Sequence, residues 1–319
     1  MKIVGTMIVL NNGDGEITKC LTAYKSVVHA DRVFIVDGGS TDSTLSEIEK
    51  FNTMCGCNYV HVKHIPWADD FEIQRNNALD LIREWAFNDR LDENDIWCVA
   101  CDGDDWYLTF PSPEQFMVIP ADVGSINVWH HYVGRPVFHK NLSVWRLKGS
   151  RWNGMWHSWV TVPGKRITWD DAVCMHGWSK QHNVDPDRKL RIGQKAVIAN
   201  PSSARYQWLH ARDLLESNTG TPAEINLKLD RAMNCLTIYF YHPVSGRKAS
   251  QDAHAAMLMA VCFARKENYD GVKEWTLKAL SFKPDYSVAL EALAWVSTKL
   301  PMPDTPFLNT TWESMLTNQ

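Results

Sequence analysis

What most constrains this chain is a pattern repeated in its first hundred residues: an apolar run that ends in an acidic, glycine-containing turn. Arg32-Val33-Phe34-Ile35-Val36 leads into Asp37-Gly38-Gly39-Ser40-Thr41-Asp42. About sixty residues later Ile96-Trp97-Cys98-Val99-Ala100 leads into Cys101-Asp102-Gly103-Asp104-Asp105. Short apolar runs bounded by turns read as buried strands. Both turns therefore sit at carboxyl ends of strands, where open α/β sheets bind ligands. Asp-x-Asp in a tight turn presents two carboxylates to one hard divalent cation, and such a cation often bridges the phosphates of a nucleotide.

The surrounding signals give the order βαβαβαβ. Residues 3–10 read as a strand, 17–28 as a helix, 32–36 as a strand, 43–51 as a helix capped by Ser40-Thr41-Asp42, 59–64 as a strand, 72–85 as a helix and 96–100 as a strand. That order predicts an α/β fold with a mostly parallel, Rossmann-like sheet. From 118 to about 197 the runs are short and β-like, and beyond about 202 the character is helical. Helices are expected over 253–266, 269–281 and 287–299, with Ala260, Ala279 and Pro284 spaced as in a tetratricopeptide repeat. The expected division is 1–200 for the α/β domain and 201–319 for a helical, tetratricopeptide-like region, with an extended tail after Pro301.

With 45% hydrophobic and 22% charged residues the chain has the profile of a soluble globular protein. The net charge of −4 hides an internal asymmetry. From Asp69 to Asp105 there are twelve acidic residues against three arginines, whereas from Val123 to Trp169 there are seven Lys or Arg and no acid. A cation-binding segment followed by an anion-facing one is the expectation. Six tryptophans, at 129, 145, 152, 156, 159 and 169, are interleaved with the basic residues. Cysteines without a second pair at zinc spacing, Cys98 and Cys101 among them, read as buried thiols in a reducing compartment. No apolar run reaches the roughly 20 residues needed to span a bilayer, so a cytoplasmic protein is expected.

Several short segments, taken in order, resemble family 2 glycosyltransferases of the GT-A fold. They are Met7 to Asn11, the turn from Val36 to Asp42, Ile65-Pro66-Trp67-Ala68-Asp69-Asp70-Phe71, Gln74-Arg75-Asn76, the Asp102 to Asp105 turn, Trp152 to His157, and Met175-His176-Gly177. The resemblance spans about residues 1–180 and is to the branch with a tetratricopeptide-like helical region after the catalytic domain. It implies a GT-A domain followed by helices, a nucleoside-diphosphate sugar as donor, a UDP-sugar foremost, and Mn²⁺ or Mg²⁺ as cofactor. The donor is expected across Asn11, Asp37, Asp69, Asp70, Arg75 and Asp102. The metal is expected at Asp102, Asp104 and His176, with Asp105 an alternative to Asp104.

The sequence departs from this branch at Ser158, where His-Glu is usual after Trp156. An inverting transfer needs a base near the attacking group, and His157, Asp170 and Asp171 are the candidates. Trp152, Trp156 and Arg151 are expected on the acceptor side, since indole faces stack on sugars or bases. A protein, peptide or glycan acceptor fits the family, and hydroxymethylated DNA fits the basic, Trp-rich stretch. Two other readings compete. Sugar nucleotidyltransferases share the sheet, but no Lys or Arg precedes Lys19 in the first loop. A degenerate binding module would explain Ser158, against which stands the intact Asp102-Gly103-Asp104.

Overall fold

The computed structural model describes residues 1–56, 58–133, 138–177, 185, 187–217, 220–242 and 247–298. The tail after Pro301, Cys57 and Arg135 lie outside the described residues. The chain divides into two compact units, Met1–Pro186 and Asp187–Gln319.

The first unit runs β1 (Lys2–Val9), α1 (Glu16–Ser26), β2 (Arg32–Asp37), α2 (Thr44–Met54), β3 (Val60–His64), α3 (Phe71–Asn88), β4 (Ile96–Ala100), β5 (Asp105–Thr109), α4 (Pro113–Met117), β6 (Val123–Tyr132), β7 (Phe138–Arg146), β8 (Arg151–Asn153), β9 (Trp159–Thr161) and β10 (Lys165–His176). Eight strands form one sheet in the order β3-β2-β1-β4-β7-β6-β10-β5, and β8 and β9 form a separate ribbon. From β3 to β4 every pairing is parallel, as the sequence order requires. Beyond β4 the sheet is mixed: β7 is antiparallel to β4 and β6, β6 and β10 are parallel, and β5 closes antiparallel on β10.

Strands β1, β2 and β4 are apolar because both faces of this part of the sheet are covered, while β3 at the edge is exposed from Val62 to His64. One face packs Ile17, Leu21 and Tyr24 of α1 against β1, β2 and β4. The other packs Leu79, Ile82, Trp85 and Ala86 of α3. The chain steps from β1 to β2 and β3 on one side, and α3 then returns it to β4 on the other. This reversal beside β1 opens a crevice at the strands' carboxyl ends, flanked by the turns that follow Asp37 and Ala100.

The second unit is helical: α5 (Arg188–Ala199), α6 (Ala204–Glu216), α7 (Pro222–Tyr241), α8 (Ala249–Arg265), α9 (Tyr269–Phe282) and α10 (Ser287–Thr298). Its first helix, α5, packs on α6. Helices α8 to α10 share a core in which Ala260, Ala279 and Val272 are fully buried. No helix among the described residues is long and apolar enough to cross a membrane.

Helix α6 buries a charged pair, Arg212 and Asp213, joined at 2.8 Å. Burial outweighs the arginine and raises Asp213 to about 6. A carboxyl whose folded pKa exceeds its unfolded value adds stability as pH falls through the folded pKa. Lowering pH from 7 to 5 is expected to stabilise the wild type by about 1 kcal/mol relative to Asp213→Asn. Urea unfolding of both proteins at the two pH values checks this; equal pH responses would refute it.

Candidate active site

At the end of β2 the Asp37 carboxylate is wholly buried and already engaged. It accepts hydrogen bonds from the backbone N–H of Gly39 and Ser40, each at 3.1 Å, and from His64 Nδ1 at 2.8 Å. Asp37 and His64 lie opposite each other in the parallel β2–β3 register. The chain after β3 continues along the turn: Ile65 N donates to the Asp37 carbonyl and Trp67 N to that of Gly38. Asn11 ties the first loop to the same turn, its Oδ1 accepting from Thr41 N at 2.8 Å and its own N–H donating to Ser40 Oγ at 2.9 Å. Asp42 accepts from Gly13 N and Thr44 N, which makes it a cap rather than a ligand group.

The second contribution comes from the first turns of α3. Asp70 is its N-cap, accepting from Ile73 N at 3.1 Å, and Asp69 accepts from Trp67 Nε1 at 2.9 Å. Both carboxylates, expected to contact the donor, have partners in their own turn. Three successive side chains then tie α3 to three different segments. Gln74 donates to the carbonyls of Ile65 and Pro66. Arg75 Nη2 meets Asp102 Oδ1 at 2.8 Å. Asn76 grips the backbone of Trp152 at both N–H and carbonyl, at 3.0 and 2.9 Å. Trp152 in turn lies under the guanidinium of Arg75, 4.5 Å from ring centroid to Cζ.

At the third point the acidic turn after β4 meets the end of β10. Asp105 opposes His176 in the antiparallel β5–β10 register, and its Oδ1 lies 2.5 Å from His176 Nδ1. Asp105 Oδ2 also accepts from Asp102 N at 3.3 Å. Burial works against a charge on His176, but the hydrogen bond and charge of Asp105, with Asp104 and Asp102 nearby, outweigh it and raise the imidazole to about 9. The turn therefore stabilises positive charge, which is what a cation site requires. The donor chemistry also fits a divalent ion such as Mn²⁺: carboxylates of Asp102 and Asp104, and the outer nitrogen of an imidazole whose inner nitrogen is fixed by a carboxylate.

The ligand atoms of Asp102, Asp104 and His176 are not gathered into one cluster, however. Among the described residues, the group of three metal-ligating side chains whose ligand atoms lie within 4.8 Å of one another is Cys101, Asp105 and Cys174. Asp102 is drawn off by Arg75, and Asp105 takes the histidine. The two thiols, 4.0 Å apart, belong to the apolar core beneath the turn. Burial pushes the Cys101 thiol well up, and contact with Cys101 together with burial does the same to Cys174. They are the buried thiols that the sequence indicates.

The remaining expectations separate. Asp170 is exposed on β10, where Lys140 and Trp129 bond its carboxylate at 3.1 and 3.2 Å and lower its pKa. Asp171 is exposed, its carbonyl accepting from Thr109 Oγ1. His157 is exposed with a positive φ of 47° and leans on Trp156. Trp152 and Trp156 are buried, so neither offers a ring face to an acceptor. Arg151 is exposed. Within the basic stretch Lys140 pairs with Asp170 and Lys165 with Asp122, and Arg146 bonds the carbonyls of Val123 and Asn94, while Lys148, Arg151 and Arg166 are exposed. His64 was not among the expected site residues, although its place at the end of β3, in line with Asp37, was a readable signal.

No protein-family model matches the chain, and no curated protein resembles it in sequence. Solved structures do resemble its fold. Residues 1–349 of S. aureus TarS in complex with UDP-GlcNAc share 14% identity over 90% of this chain and 93% of that one, with a TM-score of 0.45. The mannosyltransferase PcManGT from Pyrobaculum calidifontis, in complex with GDP-Man and Mn²⁺, shares 15% identity over 92% of this chain and 87% of that one, TM-score 0.39. GalNAc-T7 with UDP, GalNAc and Mn²⁺ shares 10% identity over 73% of this chain and 54% of that one, TM-score 0.38. At these scores the likeness leaves the reading of the site to its own geometry.

Gly177 holds the turn in place by having no side chain. A Cβ there would lie 2.2 Å from the Asp104 carbonyl oxygen, a backbone atom with no freedom to swing aside. Gly177→Ala is expected to cost about 1–3 kcal/mol of stability. Thermal unfolding within experimental error of wild type would show that the turn yields at no cost.

Proposed function

We propose that the protein is a glycosyltransferase of the GT-A type that uses a nucleoside-diphosphate sugar, with Mn²⁺ or Mg²⁺ held by Asp102, Asp104 and His176. The observation that carries this reading is the meeting, at the sheet's carboxyl edge, of the acidic turn with His176 on one side and Arg75 on the other. A divalent cation held there would supply positive charge to offset that left on the departing nucleotide.

The chain's own residues do the rest. Asp105 fixes the ring of His176 by its Nδ1 and leaves the outer nitrogen for the cation, the arrangement by which outer carboxylates orient metal-ligating histidines. Arg75, clamped by Asn76 and Trp152, carries a planar positive group suited to a diphosphate oxygen. In this state it pairs with Asp102, so donor binding re-pairs it. Inversion at the anomeric carbon requires a base to take the acceptor's proton. His157 and Asp171 remain candidates, and Asp170, already bonded by Lys140 and Trp129, is the weakest. A protein, peptide or glycan acceptor is the reading we favour, Lys140 and Lys165 of the basic stretch being already paired with Asp170 and Asp122; hydroxymethylated DNA is the alternative that the exposed Lys148, Arg151 and Arg166 leave open. The helical unit, tetratricopeptide-like in its spacing, is proposed to recruit the acceptor's carrier.

Calorimetric titration with UDP, GDP and their sugars, with and without Mn²⁺, tests the proposal. Binding of at least one nucleotide is expected to need the metal and to weaken at least tenfold in Asp102→Asn and His176→Ala. Metal-independent binding, or none, would sink the catalytic reading and favour a binding module.

A further inference from the structure

The turn after β2 has no vacant carboxylate to offer a nucleobase. Asp37 is fully buried, and its two oxygens take the N–H groups of Gly39 and Ser40 and the Nδ1 of His64. To reach a ligand it would have to break the turn that it closes. What stands at the crevice in its place is the imidazole of His64, whose side chain is 59% exposed. Its position is set by two constraints: the in-register pairing of Asp37 with His64 and the carboxylate on Nδ1. A hydrogen bond to an acceptor-only carboxylate assigns the ring proton to Nδ1, so the neutral ring presents a lone pair at Nε2. Beside it lie Gly38 and Gly39, bare of side chains. A Cβ on Gly39 would be 3.7 Å from His64 Cε1, and one on Gly38 would be 3.3 Å from the Cβ of Trp67. Gly38 thus lets the turn pack closely on Trp67, Val9 and Leu10, while Gly39 leaves the flank of the exposed His64 ring bare of a side chain.

We infer that His64, oriented by Asp37, is the residue that reads the donor's base, and that it selects bases carrying a ring N–H on the pairing edge. This inference rests on the glycosyltransferase reading and sharpens its substrate. A ring nitrogen with a lone pair accepts from the N3–H of uracil or thymine and from the N1–H of guanine. Cytosine presents a lone pair of its own at N3 and meets the imidazole acceptor to acceptor. Asp37 is a positioning residue in this scheme and His64 the binding residue.

The test is calorimetric binding of UDP, GDP, CDP and inorganic pyrophosphate, each with Mn²⁺ at pH 8, to wild type, His64→Ala and His64→Gln. Wild type is expected to bind UDP or GDP about tenfold more tightly than CDP, a ratio within reach of one hydrogen bond made against one left unmade. His64→Ala is expected to lose that preference while binding pyrophosphate as wild type does. His64→Gln, whose amide oxygen supplies an acceptor, is expected to recover part of it. His64→Ala leaves the buried Asp37 carboxylate one partner short, so thermal unfolding is read for both variants, and His64→Gln, whose amide N–H can still bond Asp37, carries the test if His64→Ala is destabilised. Retention of the base preference in His64→Ala, or an equal loss for pyrophosphate and UDP, overturns the inference and leaves the donor reading intact. Failure of every nucleotide and of pyrophosphate to bind overturns both.

Discussion

Two buried carboxylates, each held by a histidine of the neighbouring strand, set the carboxyl edge of this sheet. Asp37 and His64 meet at 2.8 Å across β2 and β3, and Asp105 and His176 at 2.5 Å across β5 and β10. A carboxylate taken out of water is costly unless it is paired and hydrogen-bonded. Each aspartate is therefore satisfied twice, by an imidazole and by backbone N–H groups of its own turn. The same bonds fix the turn and orient the ring. In both places the acid is spent on structure and the outer nitrogen of the histidine is left to meet whatever enters the crevice.

Between these two points stands Arg75, and α3 is built to hold it. Asp70 starts the helix, Gln74 and Asn76 bind segments on either side, and Trp152 floors the guanidinium. A small cavity of about 10 Å³, lined by Thr6, Met7, Ile8, Ala78 and Ala100, lies behind the arginine and the tryptophan. Arg75 Nε is buried without a partner. An unmade hydrogen bond on a buried charged group costs free energy, so the pairing with Asp102 is an incomplete satisfaction of the guanidinium. Donor oxygens would complete it. The aromatic face of Trp152 fixes the plane of the arginine on one side, while a single carboxylate oxygen holds it on the other.

Much of this frame was readable in the sequence, and the physics explains where reading stopped. Strands β1, β2 and β4 were legible because burial on both faces makes them largely apolar runs, whereas the edge strand β3 is mostly exposed and the cap of α3, Asp70, was read as a donor contact. β5 was not: Asp105-Trp106-Tyr107-Leu108-Thr109 reads as the end of an acidic turn, and its strand character comes from pairing with β10, far away in the chain. Trp152 and Trp156 looked like an acceptor platform because their neighbours are basic, yet composition does not tell which indoles are buried. Trp145 and Trp152 pack edge to face at 5.3 Å inside the core of α3. Asp170 looked like a base for the same reason, and its partner Lys140 is supplied by a different strand. The acidic residues at strand ends stand out in the sequence, but which of them face inward depends on register, and register is a property of the folded sheet.

Register also explains why the two acidic turns differ in what they can hold. After β2 the turn contributes one carboxylate that points into the fold, and its second acid, Asp42, caps α2. After β4 the turn contributes three acids in four residues, and only Asp105 is claimed by a strand partner. Asp102 then keeps its carboxylate 39% exposed at the crevice, shared with Arg75. Beneath it lies a floor of protonated thiols and tyrosine rings, Cys20, Cys101, Cys174, Tyr24 and Tyr107, that offers no countercharge. The negative potential of this turn can be balanced only from the crevice or from the side, by His176, by Arg75, or by a cation. A charge imbalance held rigidly over an apolar floor is a preorganised site for positive charge.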